Sequence, residues 1–412
     1  MQIRPEDKAV LRELAERYMT HALADRNKNA RELWRRLNAH EMQKPMVAID
    51  QMPWNELDVD GFLNCSVENP YFRMIENNLR MEIYKVEHLP VDMVLNPYIL
   101  LPRPIGNTGY GVSNIATTIA SDETSNVYSY HFTNQFEEEE DVEKIKTPVI
   151  SIDRDAERDI KETADDIFDG IAETRMQGLI MHVGIWDFIT QWMGVENCYI
   201  ELMDRPEMMH AIMDRLTNAT IGMIEQVNKL GLYDVNTNMC HCSYTFGDLP
   251  GKDCDRDNPT SHDSWAFGLA QLFSSVSPKI TAEFEVPYMQ RIFPYFGSIY
   301  YGCCDRLDDR LDIIDRMPNI RKISCSPWSD REHFAATLPK KYIMSNKPTP
   351  ALLAEDTFDE EAVRRDLRRT MAAAKEHGVC LEMILKDIST VKYDPKRLWR
   401  WAEIAEEETM NW

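Results

Sequence analysis

From about residue 153 the chain alternates between amphipathic helical stretches and short apolar runs, and no other feature restricts its fold as strongly. DAERDIKETADDIFDGIAETRMQ leads to LIMHVGIW, and RPEMMHAIMDRLTNATIGMIEQVNKLG leads to VNTNMCHCSYTF. PKITAEFEVPYMQRIFPYFG precedes IYYGCC, DDRLDIIDRMP precedes IRKISCSP, and HFAATLPK precedes YIMSNKP. FDEEAVRRDLRRTMAAAKEHG then leads to VCLEMILK, and LWRWAEIAEEE closes the pattern. Strands that alternate with helices at this spacing imply parallel βαβ units. Repeated without a linker, they predict an α/β chain folded as a (β/α)8 TIM barrel over residues 46–412. Residues 1–45, with PEDKAVLRELAERYMTHALADRNKNARELWRRLNAH at helical spacing, read as an N-terminal helical extension.

The charge balance narrows the partners. The 412 residues carry 46 Lys and Arg against 69 Asp and Glu, a net charge of −23. Nucleic acid and anionic membrane both need local positive charge and are not expected partners. No apolar stretch approaches the ~20 residues that span a bilayer, and the charged start MQIRPEDKAV lacks the apolar core of a secretory signal. An odd count of nine cysteines without such a signal reads as reduced thiols in a cytoplasmic protein.

In a barrel of this kind the reactive groups lie where strands end and the following loops begin. That rule selects Asp50, Asn96, His182–Trp186, Cys240–Tyr244, Tyr301–Asp305, Cys325–Trp328, Asn346–Lys347 and Glu382–Asp387. In IYYGCCDRLDD, Gly302 relieves crowding beside two adjacent thiols, and strand parity predicts that only one of Cys303 and Cys304 faces the barrel mouth. Cys325 ends the next strand, and Glu382 and Asp387 come from the last. Soft thiolates plus one carboxylate on separate strands can hold Zn2+ with a position left open for substrate, although no CxxC or HExxH pattern is present. Small cysteines that merely fill a crowded core are the alternative. Cys240 and Cys242 flank His241 and are expected to share one strand face, with His241 on the other as a substrate ligand or proton carrier. Trp186 is a candidate pocket wall, and His182 a core histidine. The absence of GxGxxG, GxxxxGK[ST] and GxSxG removes the usual support for dinucleotide, P-loop and serine-hydrolase chemistry.

Three stretches resemble the uroporphyrinogen decarboxylase superfamily: WDFITQWMGVENCYIELMDRPEMMHAIMD, SVSPKITAEFEVPYMQRI and YYGCCDRLDDRLDIIDRMPNIRKISCSPW. The pattern extends over roughly residues 80–400, and the family fold is a (β/α)8 barrel. The decarboxylase branch carries an arginine-rich substrate loop and an early aspartate. Here the loop is missing and Asn96 stands near the aspartate position, with Asp92 close by. Both changes, with the acidic net charge, speak against a tetrapyrrole rich in carboxylates. The zinc-dependent, corrinoid-linked methyltransferase branch uses His–x–Cys at a strand end, which places Tyr301 at the histidine and Cys303 at the cysteine.

The resemblance therefore implies a methyltransferase with Cys303, Cys325 and Glu382 as zinc ligands. Tyr301 and His241 are the expected catalytic groups, and Asn96, Trp186 and Lys347 the expected substrate contacts. Zinc would act as a Lewis acid on a methoxylated aromatic, an amine or a thiol. The methyl group would pass to a corrinoid on a separate protein, since this chain shows no cobalamin-binding domain. The family also implies a homodimer. A metal-free decarboxylase of a small acid, using His241, Tyr301 or Lys347, is the second reading, and a non-enzymatic corrinoid-handling barrel the third.

Overall fold

Strands that are buried on both faces appear in a sequence as apolar runs with little alternation, and the sheet of this protein is built from such runs. The computed structural model describes residues 1–120 and 128–412. Seven parallel strands form the centre: β1 Met46–Ile49, β2 Met181–Val183, β3 Trp265–Gly268, β4 Ser298–Tyr301, β5 Ile320–Cys325, β6 Ile343–Asn346 and β7 Leu381–Leu385. Their hydrogen-bonded order is β1-β7-β6-β5-β4-β3-β2, so neighbours from β2 to β7 are also consecutive in the chain. Every residue of β1, β3, β4, β6 and β7 is buried. The architecture is α/β around a parallel sheet, as the alternation predicts.

The two outer strands, β1 and β2, share no ladder among the described residues. Val91–Leu95 lies along β1 instead: the Asp92 N–H donates to the Val47 carbonyl at 3.0 Å, and the Val47 N–H donates to Asp92 Oδ2 at 2.9 Å.

Helices α1 Pro5–Ala22 and α2 Asp25–Asn38 precede the sheet, followed by α3 Pro70–His88, α4 Arg154–Phe168 and α5 Ile185–Met193. Pro70 opens α3 where its missing N–H costs nothing, and Asn69 Oδ1 accepts from the N–H groups of Tyr71 and Phe72. Asp153 caps α4 by accepting from the Ala156 N–H at 2.9 Å. Leu11, Leu14 and Tyr18 of α1 pack with Ile75 and Leu79 of α3 and Ile160 of α4 in a core separate from that of the sheet. Helix α2 turns to the main core through Trp34, which is fully buried and donates its indole N–H to the Asp92 carbonyl at 2.7 Å. None of these helices is long and apolar enough to cross a membrane, nor is any other among the described residues.

VNTNMCHCSYTF does not form the single strand its apolar content predicts. Met239–Cys240 pairs antiparallel with Ser243–Tyr244, and His241, at φ +53°, sits in the tight turn between them. Cys240 and Cys242 therefore share no strand face, and both are fully buried.

Candidate active site

The turn after β4 is set by Gly302 at φ +86°. A Cβ there would come within 2.5 Å of Leu307 Cδ1 and 3.2 Å of Ser324 Cβ, so only glycine makes this turn without displacing its neighbours. The turn takes the next two residues out of strand geometry, and Cys303 and Cys304 bring their sulfurs 3.5 Å apart rather than pointing to opposite faces. Two hydrogen bonds fix the backbone: the Cys303 N–H donates to Asp305 Oδ1 at 2.7 Å, and Ser324 Oγ donates to the Cys303 carbonyl at 2.7 Å.

Two further segments deliver side chains to these sulfurs. Lys386, the residue directly after β7, places Nζ 2.9 Å from Cys303 Sγ, 3.7 Å from Cys304 Sγ and 2.9 Å from Asp387 Oδ2. The hairpin turn sets His241 Nε2 3.5 Å from Cys303 Sγ, with its ring stacked on Phe267 of β3 at 4.0 Å and 2°. Cys304 Sγ is also 2.9 Å from Asp387 Oδ2. The Cys304 thiol, His241 and Lys386 hold Cys303 well below the usual thiol range against the opposing effect of burial. Cys304, hydrogen-bonded to Cys303 and partly buried, moves up. Burial alone would lower His241, but the neighbouring Cys242 and Cys303 sulfurs raise it to about 9. Cys303 thus lies between the His241 ring and the Lys386 ammonium, an arrangement that favours the thiolate and activates a cysteine nucleophile.

Three carboxyl groups flank this site. Burial, Asp305 and Cys303 push Asp187, in the first turn of α5, up to about 7. Burial raises Asp305 to about 6 and Glu285 well above the usual range. Tyr301, expected to be catalytic, is buried at the end of β4 and donates its hydroxyl to Glu285 Oε1 at 3.4 Å. Lys347 follows β6, as the strand-end rule requires, but its Nζ is spent on the Tyr300 hydroxyl at 2.5 Å and Ser345 Oγ at 2.6 Å. The Tyr300 hydroxyl lies 3.7 Å from Cys242 Sγ, which is held below the usual thiol range because Lys347, His241 and Lys386 outweigh burial.

The expected zinc ligands are not brought together. Cys325 is fully buried, its thiol is pushed up to about 12 by burial, and its sulfur accepts from Asn346 Nδ2 at 3.7 Å. Glu382 is the second residue of β7, deep in the sheet, and accepts from Lys322 Nζ at 2.6 Å and Ser243 Oγ at 3.0 Å. Among the described residues no group of three or more His, Cys, Asp or Glu side chains is arranged to hold a metal ion. The set Cys303, Cys325 and Glu382 therefore does not fit zinc in this conformation.

Two expected substrate contacts lie elsewhere. Trp186 is fully buried against Phe273 at 4.7 Å and donates to the Phe284 carbonyl at 3.2 Å, which is a packing role. Asn96 accepts from Asn238 Nδ2 at 2.7 Å and lines a cavity of about 200 Å³ between α1, α3 and the hairpin, to which no member of the Cys303 cluster contributes. Sequence reasoning missed Lys386 and Asp187. Lys386 belongs to a segment the strand-end rule had selected, whereas Asp187 lies one residue beyond His182–Trp186, and nothing local marked either side chain as facing Cys303.

No family model and no curated protein matches the sequence. Among solved structures, a methyltransferase from Methanosarcina mazei aligns over 92% of this chain and 97% of its own, with a TM-score of 0.49 and 10% sequence identity. At that distance the chemistry of the site has to be argued from its own groups, and those describe an activated cysteine at the carboxyl ends of a parallel sheet.

Proposed function

We propose that this chain is a methyltransferase in which the Cys303 thiolate takes a methyl group from a methylated small molecule and passes it to a corrinoid on a separate protein. The observation that carries the reading is Lys386 Nζ at 2.9 Å from Cys303 Sγ, with His241 at 3.5 Å. In the first step the sulfur lone pair forms an S–CH3 bond as the bond from methyl to its oxygen, nitrogen or sulfur breaks, and the electron pair leaves with the donor atom. Asp187, near neutrality in its pKa and only partly exposed at the mouth, is the acid for that leaving atom. In the second step the acceptor's electron pair takes the methyl carbon, and the thiolate returns beside Lys386. The cation that stabilises the resting thiolate also stabilises it as a leaving group. The seven strands would be part of a (β/α)8 barrel, with Val91–Leu95 in the place of the eighth; the Asp92–Val47 bonds support that placement. No step is drawn through zinc, because the expected donors do not converge.

The test is intact-protein and peptide mass spectrometry after incubation with methoxybenzene, tetramethylammonium or dimethyl sulfide. Cys303 should gain the mass of one CH2, and added Co(I) corrinoid should remove it. Unchanged methyl transfer to the corrinoid by Cys303→Ser would overturn the reading.

A further inference from the structure

The end of the sheet opposite Cys303 carries a feature at odds with a chain of net charge −23. A recess of about 310 Å³ is lined by Lys28, Arg31 and Arg35 of α2, by Arg175 and by Arg256, with Glu32 as the one carboxylate among the described residues that line it. It lies at the strand starts: its wall includes Gly247, and the adjacent Asp248 accepts from Arg321, the second residue of β5, at 2.6 Å. The Cys303 cluster lies beyond the strand ends, so the two sites are at opposite ends of the strands.

The cations of this recess are only partly neutralised. Lys28 is paired with Asp25 at 3.1 Å, Arg35 with Glu32 at 2.7 Å and Arg175 with Glu173 at 2.8 Å. Among the described residues Arg256 makes a single hydrogen bond, to the Val235 carbonyl at 3.3 Å. Arg31 has no ion pair among the described residues and lies over the Phe246 ring at 4.9 Å. Arg175 lies over Tyr98 at 4.0 Å. Aromatic platforms hold guanidinium planes in place and leave their edges free to donate, which lowers the entropy lost when they grip an anion.

We propose that this recess binds a small phosphorylated molecule, with Arg31 and Arg256 donating to its phosphate oxygens. Planar guanidinium groups match phosphate oxygens two at a time, and several on one anion add charge-assisted hydrogen bonds. The recessed shape suits a small molecule. A nucleic acid backbone would meet the repulsion of a chain with net charge −23. The inference does not depend on methyl transfer at Cys303.

The experiment is isothermal titration of the full chain at low and at matched higher ionic strength. The probes are pyrophosphate, inorganic phosphate, glycerol 3-phosphate, citrate and sulfate. The expected result is saturable binding of a phosphate probe that exceeds sulfate at equal ionic strength. It should weaken on the order of tenfold in Arg31→Met and again in Arg31→Met/Arg256→Met. Tighter binding of the ester assigns the site to a phosphorylated metabolite, and tighter binding of pyrophosphate assigns it to the free anion. Met keeps an unbranched apolar side chain beside Phe246 while removing the guanidinium, and circular dichroism of the variants checks that they fold. Equal binding by parent and double variant, citrate binding without phosphate binding, or no binding at all would each overturn the proposal.

Discussion

A thiol takes its ionisation from its neighbours, and at Cys303 those neighbours are identifiable. The Cys304 thiol, His241 and Lys386 favour the thiolate, whereas burial opposes it. A cysteine of ordinary pKa loses about tenfold in alkylation rate for each pH unit below that pKa, because only the thiolate reacts. Cys303, already ionised, should instead react with iodoacetamide at a nearly level rate from about pH 8 down to pH 6. Lys386→Met removes the cation at 2.9 Å and should restore the slope, with the midpoint moving up toward the ordinary range. A level profile in that variant, read by mass spectrometry of the Cys303 peptide, would take Lys386 out of the assignment. At this scale the sequence singled out Cys303, but the groups that stand beside it are not the ones expected from the sequence. VCLEMILKD offers Glu382 as the obvious carboxylate, yet β7 begins at Leu381, which leaves Glu382 deep in the sheet and puts Lys386 at the strand end. Cys325 does end its strand, but its side chain points to Asn346 rather than toward Cys303.

Elements carry a different kind of constraint, seen where β5, β7 and the hairpin meet. Lys322 and Glu382 form an ion pair at 2.6 Å with both side chains fully buried, and Ser243 from the hairpin joins them. Burial pushes Lys322 below its usual value even with Glu382 beside it. The desolvation of both groups nearly offsets their attraction, but removing one partner strands the other charge. Lys322→Met should therefore cost roughly 3–5 kcal/mol in urea unfolding, and Lys322→Met/Glu382→Gln should recover much of it. Additive losses in the two single variants and the double would mean that the pair is not coupled. The strands themselves were legible because two-sided burial leaves long apolar runs. The hairpin was not, because its turn falls on His241 and Cys242, with neither a Gly nor an Asn to signal the positive φ. Gly302 gave a clearer signal: a glycine between a strand and two thiols implied a close approach, and Leu307 and Ser324 are what it approaches.

On the scale of the whole molecule, the N-terminal helices belong to the two cores rather than lying beside them. Helix α1 supplies Leu11, Leu14, Ala15 and Tyr18 to the core that it shares with α3 and α4. Helix α2 closes the start of the sheet: Asn38 donates to the carbonyls of Tyr244 and Phe246 at 3.1 and 2.7 Å, and Trp34 packs 5.1 Å from the Tyr244 ring. Lys322 Nζ also lies 5.4 Å from the Trp34 ring, so the buried ion pair borrows its cover from α2. Composition and periodicity made these residues helical, but a charged helical pattern does not say what its apolar stripe meets. Burial makes the consequence specific. Trp34→Ala removes a fully buried indole and leaves the Asp92 carbonyl without its donor, a loss of about 3–5 kcal/mol by the usual cost of truncating a large core side chain. A chain lacking residues 1–38 loses both contacts and the α1 core together, and it should show no cooperative thermal transition by circular dichroism. Trp34→Ala should still melt cooperatively, at a lower temperature. A truncated chain that melts as sharply as the parent would show that the sheet is self-sufficient and that α1 and α2 are accessory.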